Sequence, residues 1–211
     1  MSDKAKIHLS ALEMELVNNK EWIFTKQQII EKVYHILGEL HQRFKKIVED
    51  ELEFLPAIFP DSGGKISKGE NYMGLPYLIL DYPARFSKDN VFAVRTMFWW
   101  GNYFSISLHL SGADLKNTID VSHWLDSFKE ENFLVCVNEK EWEHNFESSN
   151  FLDIKKINDL QVKEILQKDF FKFGKKIELG KWDYAQEFLE QSFKEIIKVI
   201  KLSCPDGEIV P

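Results

Sequence analysis

The 211-residue chain has little of what marks several classes of protein. It has only two cysteines, Cys136 and Cys204, so the disulfide framework of a small secreted protein is excluded. No apolar run approaches the length that crosses a bilayer, and the first residues lack the apolar core of a signal peptide. We therefore expect a cytoplasmic protein that makes no contact with a membrane.

An excess of positive charge is also absent, since 34 acidic residues outnumber 27 basic ones. The net charge of -7 and the pI near 5.5 disfavour nucleic-acid binding, which requires a basic surface. The same charge suits a small ligand, or a basic protein partner attracted by an acidic surface. The histidines are scattered, and no spacing among them or the cysteines is diagnostic of a metal site. No metal or cofactor is predicted.

Recognisable catalytic motifs are missing as well. The glycines of residues 62–69 have the separation found in a phosphate-binding loop, but Glu70 stands where the lysine belongs. The segment also precedes a predicted strand instead of opening a helix. We predict a flexible connector over residues 54–71, and the alternative is a mobile lid over the sheet that carries Lys65 and Lys68.

The sequence does contain a well-marked series of strands. Three segments are rich in β-branched and aromatic residues and are bounded by turn residues. They are Leu75–Tyr82, Val91–Trp99 and Tyr103–Leu110. Side chains of a strand alternate between two faces, so a slip of one residue exchanges the faces. Aligned apolar faces require a three-residue loop at 100–102, with Phe98 opposite Phe104 and Asn102 in the left-handed conformation.

One face of this predicted sheet carries a row of polar side chains. The first strand is apolar on both faces, which indicates that both faces of the sheet are covered. Covered polar groups beside aromatic rings are the usual composition of a ligand site. An ordinary solvated sheet face is the alternative explanation. The candidate ligand-binding residues are Arg95, Trp99, Tyr103, Ser105, Ser107 and His109.

Two long amphipathic helices flank the sheet, near residues 25–50 and 183–202, where apolar residues repeat at helical spacing. A capping box at Thr25 opens the first, and one at Asp183 opens the second. We predict a single domain with an α+β fold. Its antiparallel sheet, with a central meander about residues 75–110, packs against both helices.

Shorter patterns predict the other elements. A first helix over residues 4–18 directs Ile7, Leu12 and Leu16 inward, and Gly174 marks a bulge in a late strand. The further predicted elements are a helix at 121–131, a strand at 133–137, a helix from 158 to 168 and a strand at 171–179, whereas residues 138–150 fit no element.

The polar row supports three functional hypotheses, of which ligand binding is preferred. A small polar or anionic ligand would be held by Arg95 and His109. A hydrolase would use His109 as general base and Ser105 or Ser107 as nucleophile, with Asp81 orienting the histidine. An interaction module resembling an inhibitor or immunity protein would bind a protein partner through its acidic surface and exposed aromatic side chains. The oligomeric state is not predicted.

Overall fold

The computed structural model of the chain describes residues 7–56, 59–61, 63–112 and 119–202. Within these ranges five α-helices and a seven-stranded antiparallel sheet form an α+β fold. The helices are α1 (Ala11–Asn18), α2 (Lys20–Glu51), α3 (Val121–Glu130), α4 (Asp159–Leu166) and α5 (Ala185–Lys201). The strands are β1 (Lys65–Tyr72), β2 (Leu75–Phe86), β3 (Val91–Trp99), β4 (Tyr103–Ser111), β5 (Leu134–Cys136), β6 (Phe151–Asp153) and β7 (Phe170–Glu178).

The predicted meander forms three of the seven strands of this sheet. The strand order is β1-β2-β3-β4-β7-β5-β6, so the late strands extend the sheet from β4. Phe98 pairs with Phe104, which confirms the three-residue loop at 100–102. The prediction for Asn102 is wrong, because Gly101 takes the left-handed conformation with φ of 72°. Glycine adopts it more readily than asparagine because it has no Cβ.

Helices α2 and α5 cover one face of the sheet and bury its apolar residues. The rings of Phe44 in α2 and Phe193 in α5 stack with 3.9 Å between their centroids. Leu80 and Ile106 of the sheet are fully buried and belong to the same apolar cluster. The predicted packing of the sheet against the two long helices is therefore confirmed.

Both long helices start away from their predicted capping boxes. Helix α2 begins five residues before Thr25, where the Asn19 side chain accepts a hydrogen bond from the backbone N–H of Trp22. Asp183 lies inside the 3-10 helix Leu179–Tyr184 that precedes α5, so it does not cap that helix. A residue can cap a helix only if the residues before it are not already helical. The sequence pattern around Thr25 and Asp183 does not show whether they are.

The first helix is shorter and more exposed than predicted. Helix α1 begins after Ser10, whose hydroxyl accepts a hydrogen bond from Glu13 N, and α1 buries none of its residues. Ile7, Leu12 and Leu16 are 98%, 63% and 43% exposed, so their predicted inward direction is wrong. Residues 4–6 of the predicted helix lie outside the described part of the chain.

The predicted connector ends earlier, because its second half is the edge strand β1. Lys65 pairs with Asp81 and Lys68 pairs with Leu78 of β2, so neither lysine belongs to a mobile lid. An edge strand is paired on one side only and tolerates lysine, which hides its strand pattern in the sequence. In the described ranges, no helix is both long and apolar enough to span a bilayer.

Four later elements, α3, β5, α4 and β7, lie within two residues of their predicted bounds, whereas β6 is not predicted. Gly174, however, is not a bulge, since β4 and β7 pair continuously through it. A Cβ at Gly174 would lie 2.8 Å from Cζ of Phe146 and 2.9 Å from the carbonyl oxygen of Ile106. The missing side chain lets Phe146 approach the sheet closely.

Candidate functional site

The second face of the sheet lies under residues 137–150, which connect β5 to β6 and which we call the covering loop. The loop contains no helix or strand. Its buried N–H and C=O groups therefore need hydrogen-bond partners outside regular secondary structure. Two tyrosines and two lysines supply many of these partners.

Two tyrosine hydroxyl groups accept hydrogen bonds from the loop backbone. Tyr72 Oη accepts from the N–H of His144 at 2.7 Å and of Asn145 at 2.9 Å. Tyr103 Oη accepts from the N–H of Phe146 at 2.8 Å. Burial raises the pKa of both tyrosines, so both hydroxyl groups stay neutral. Tyr103, a predicted ligand residue, thus holds the covering loop.

Two buried lysines bind the carbonyl oxygens of the loop. Lys172 Nζ donates to the carbonyl of Glu141 at 2.7 Å and also to that of Glu143. Lys168 Nζ donates to two carbonyls at the start of the loop, at 2.8 and 2.6 Å. Burial lowers the pKa of Lys172 to about 8, against the neighbouring negative charges that act in the opposite direction.

Arg95 lies between a carboxylate and a histidine. Its Nε and Nη2 donate to the two carboxylate oxygens of Asp81 at 2.7 and 3.0 Å. Its Nη1 lies 2.8 Å from Nε2 of His144, and because a guanidinium only donates, the imidazole accepts. Burial lowers the pKa of His144 to about 2, and the charges of Arg95 and Lys172 act in the same direction. Asp81 therefore orients Arg95, and not His109 as the hydrolase hypothesis requires.

His109 is paired with a residue of the covering loop. Its Nε2 lies 2.9 Å from Oε1 of Glu141. Burial lowers the pKa of His109 to about 3, and the charges of Lys172 and Arg95 lower it further. The neutral imidazole consequently donates its Nε2–H to the carboxylate. The His109 side chain is 5% exposed and that of Glu141 28%, so the carboxylate connects a buried histidine with the surface.

The other predicted ligand residues also lie under the loop. Ser105 and Trp99 are buried, and Ser107 is half-buried. The indole N–H of Trp99 has no hydrogen-bond partner among the described residues. In that same part of the chain, no hydrogen bond joins His109 to Ser105 or Ser107. The polar row is assembled as predicted, and its principal contacts are with the protein itself.

A cleft of about 450 Å³ opens where the polar row reaches the surface. Much of its wall is formed by residues 87–90 between β2 and β3, the start of β3, the end of β4, and Trp142 of the covering loop. The Trp142 ring is 53% exposed and lies 5.2 Å from the His109 ring between centroids. Phe86 is 48% exposed and lies 6.4 Å from the same indole. An aromatic rim thus borders the cleft.

Acidic side chains predominate among the charged residues that line the cleft. The described lining contains Asp89, Glu141 and Asp169, against the single basic residue Lys88. Carboxylates at this density attract a positively charged group and repel an anion. The cleft therefore differs in charge from the predicted site around Arg95.

Sequence reasoning missed the covering loop, and with it Glu141, Trp142 and His144. The available signal was weak: Trp142 and Phe146 interrupt an otherwise polar stretch without any helical or strand period. Large aromatic side chains in a polar segment indicate a loop that packs on the rest of the protein. The two lysines that anchor the loop give no local signal at all.

The described residues contain no group of three or more His, Cys, Asp and Glu side chains that could hold a metal ion. Comparison of the chain with models of protein families, with curated proteins and with solved structures found no match.

Proposed function

We propose that the protein binds a small polar ligand in the cleft beside Glu141, and that the ligand carries a positively charged group. The observation that carries this proposal is the position of the Glu141 carboxylate. It lines the cleft and also accepts the hydrogen bond of the buried His109. A partner within the protein fixes the direction of the carboxylate before any ligand arrives, which reduces the entropic cost of binding.

The size and composition of the cleft support the same proposal. Its volume of about 450 Å³ falls within the range of about 300–1,000 Å³ typical of small-molecule sites. The half-exposed indole of Trp142 offers a ring face, and such a face attracts ammonium groups as well as apolar ones. A ligand with an amine and a short apolar body would satisfy both the ring and the carboxylates.

Charge is the reason for preferring a cationic ligand to the anion predicted from the sequence. The anion hypothesis depends on Arg95, whose guanidinium already binds both carboxylate oxygens of Asp81 and the ring of His144. The groups that line the cleft are mostly acidic. An anion would meet three carboxylates in the described lining, with Lys88 as the one cation to offset them.

The hydrolase hypothesis receives no support from the contacts of His109. Nucleophilic catalysis needs a hydrogen bond between the base and a serine hydroxyl group, and the imidazole Nε2 is instead directed at Glu141. The hypothesis stays a prediction without a contact in its favour.

The cytoplasmic location likewise stays a prediction that rests on the scarcity of cysteine.

Thermal unfolding of the full chain against matched panels of small amines and small anions tests the proposal. A ligand at about a hundred times its dissociation constant adds about 2.7 kcal/mol to the free energy of unfolding. For a protein of this size that raises the unfolding midpoint by about 5–10 °C. We expect amines, and not anions, to produce such a shift.

Two matched variants locate the site. Glu141→Gln removes the charge but keeps an oxygen that can accept the hydrogen bond of His109, so we expect it to fold and to lose the amine-induced shift. Glu147→Gln removes the same charge from the same loop outside the cleft, at an exposed side chain, and should keep the shift. A stronger shift with anions, no shift with any amine, or equal loss in both variants would contradict the proposal.

A further inference from the structure

The first part of the described chain exposes an unusual amount of apolar surface. We call residues 7–24 the N-terminal arm; it comprises α1 and the first turn of α2. Nine large apolar side chains of the arm are exposed, from 41% at Trp22 to 98% at Ile7. The Trp22 ring contacts the body of the protein, with 6.3 Å between its centroid and that of the Trp100 ring.

Helix α1 has apolar side chains on every side, with Glu13, Glu15 and Asn18 between them. Successive residues of a helix are rotated by about 100°, so Ala11, Leu12, Leu16, Val17 and Met14 point around its whole circumference. Exposed apolar surface of this extent marks an interaction site. At eight residues, α1 is also too short to be stable in water by itself, even with the capping box of its first turn. Both properties indicate that the arm is covered in the native assembly.

The area of the arm matches that of a stable protein interface. From the exposed fractions, and with rings of about 150–250 Å², the nine side chains present on the order of 1,000 Å². The largest apolar patch of a typical monomer is about 300–600 Å², and a standard interface buries about 800 Å² on each partner. The exposed apolar area of the arm is therefore larger than the patch of a typical monomer and large enough for one side of a standard interface.

The charges of the arm exclude two other kinds of partner. It carries Glu13, Glu15 and Glu21 against one basic residue, Lys20. Helices that lie on lipid surfaces are rich in lysine and arginine on their polar side, and nucleic acid requires a basic surface. Neither an anionic membrane nor a nucleic acid suits this composition.

We propose that the arm is the contact surface of a homodimer, in which the arms of two copies cover each other. A second copy of the chain carries the same apolar arm, so it offers a matching surface of equal area. Two identical patches related by a two-fold axis form the commonest kind of oligomer interface. Two arms supply two copies of α1 and the first turns of two copies of α2, whose exposed apolar side chains would bury one another. This inference is independent of the proposed ligand site.

Sedimentation velocity of the full chain over a range of concentrations tests the dimer. We expect the wild type to sediment at twice the chain mass of 24.9 kDa. The double variant Leu12→Lys with Val17→Lys introduces two charges at side chains that are 63% and 68% exposed, so the fold of each copy should be unaffected. It should weaken dimerisation by at least about a hundredfold, since both copies lose apolar contacts.

A matched control is Leu160→Lys in α4, outside the arm, at a side chain that is 65% exposed. This variant should remain dimeric. Neither variant should destabilise the folded core of a single chain. A wild type that stays monomeric at about 100 μM, above typical dimer dissociation constants, would overturn the proposal. So would an oligomer that the arm variant does not dissociate. A monomeric wild type that cosediments with anionic lipid vesicles would assign the arm to a membrane surface instead.

Discussion

Acidification to pH 5 should destabilise the fold through His144. Burial and two neighbouring cations hold the pKa of this histidine at about 2, well below its ordinary value of 6.5. Above pH 6.5 the imidazole is neutral in both the folded and the unfolded chain, so it causes no change in stability. As the pH falls below 6.5, the unfolded chain binds a proton and the folded chain does not. The free energy of unfolding then decreases by about 1.36 kcal/mol for each pH unit.

The geometry around the ring supports the sign of this effect. Protonation of His144 would place a cation 2.8 Å from a guanidinium nitrogen of Arg95 and would remove the acceptor of that hydrogen bond. The ring is mostly buried, with little water to screen the repulsion. Over the 1.5 pH units from 6.5 to 5, the expected loss from His144 is about 2 kcal/mol. Most carboxylates remain ionised in this window, so it isolates the histidines.

Urea unfolding at pH 7.5 and pH 5.0 measures the loss. The variant His144→Gln does not titrate, and its amide oxygen can accept from Arg95, so its stability should fall by about 2 kcal/mol less than that of the wild type. His109 is present in both proteins and contributes equally to both. The control His123→Gln, at an exposed histidine of α3, should retain the full pH dependence. An equal loss in the wild type and His144→Gln would show that this ring titrates freely, and would refute the reasoning.

Two further substitutions test how the polar groups of the sheet are satisfied. Tyr72→Phe removes the acceptor of two loop N–H groups and should lower the free energy of unfolding by about 2 kcal/mol in urea titration. A loss below about 0.5 kcal/mol would show that these groups find other partners. Thr96→Val replaces a fully buried hydroxyl group that has no partner among the described residues, and should raise the free energy of unfolding by about 1 kcal/mol. A destabilised Thr96→Val variant would instead reveal a hydrogen bond to the hydroxyl.

The parts of the fold that the sequence predicts are those whose pattern is local. Alternating side chains in β3 and β4 determine their register, because only one loop length places Phe98 opposite Phe104. The helical spacing of apolar residues predicts α2 and α5 in the same way. Strand β1 escapes prediction because its lysines, glycine and serine suit a surface loop as well as a strand edge. Its strand state depends on pairing with β2, which is a tertiary contact.

The candidate site is predictable only in part for the same reason. The alternation of side chains along a strand places Arg95 and His109 on one face. The apolar first strand indicates that this face is covered. The residue that pairs with His109 lies 32 positions further along the chain, in a segment without regular structure. No periodicity connects Glu141 to the sheet, because the contact depends on how an irregular loop closes over it. The cleft beside Trp142 is therefore visible only in three dimensions.

The hydrogen bonds that fasten the covering loop join distant parts of the chain. Tyr72 and His144 are 72 positions apart, and Tyr103 and Phe146 are 43 apart. The loop can dock only after β1, β4 and β7 have assembled, so we expect these bonds to form late in folding. Interactions that are absent from the transition state slow unfolding and leave the rate of folding nearly unchanged. We therefore expect Tyr72 and Tyr103 to affect the lifetime of the native state more than the speed with which the chain reaches it.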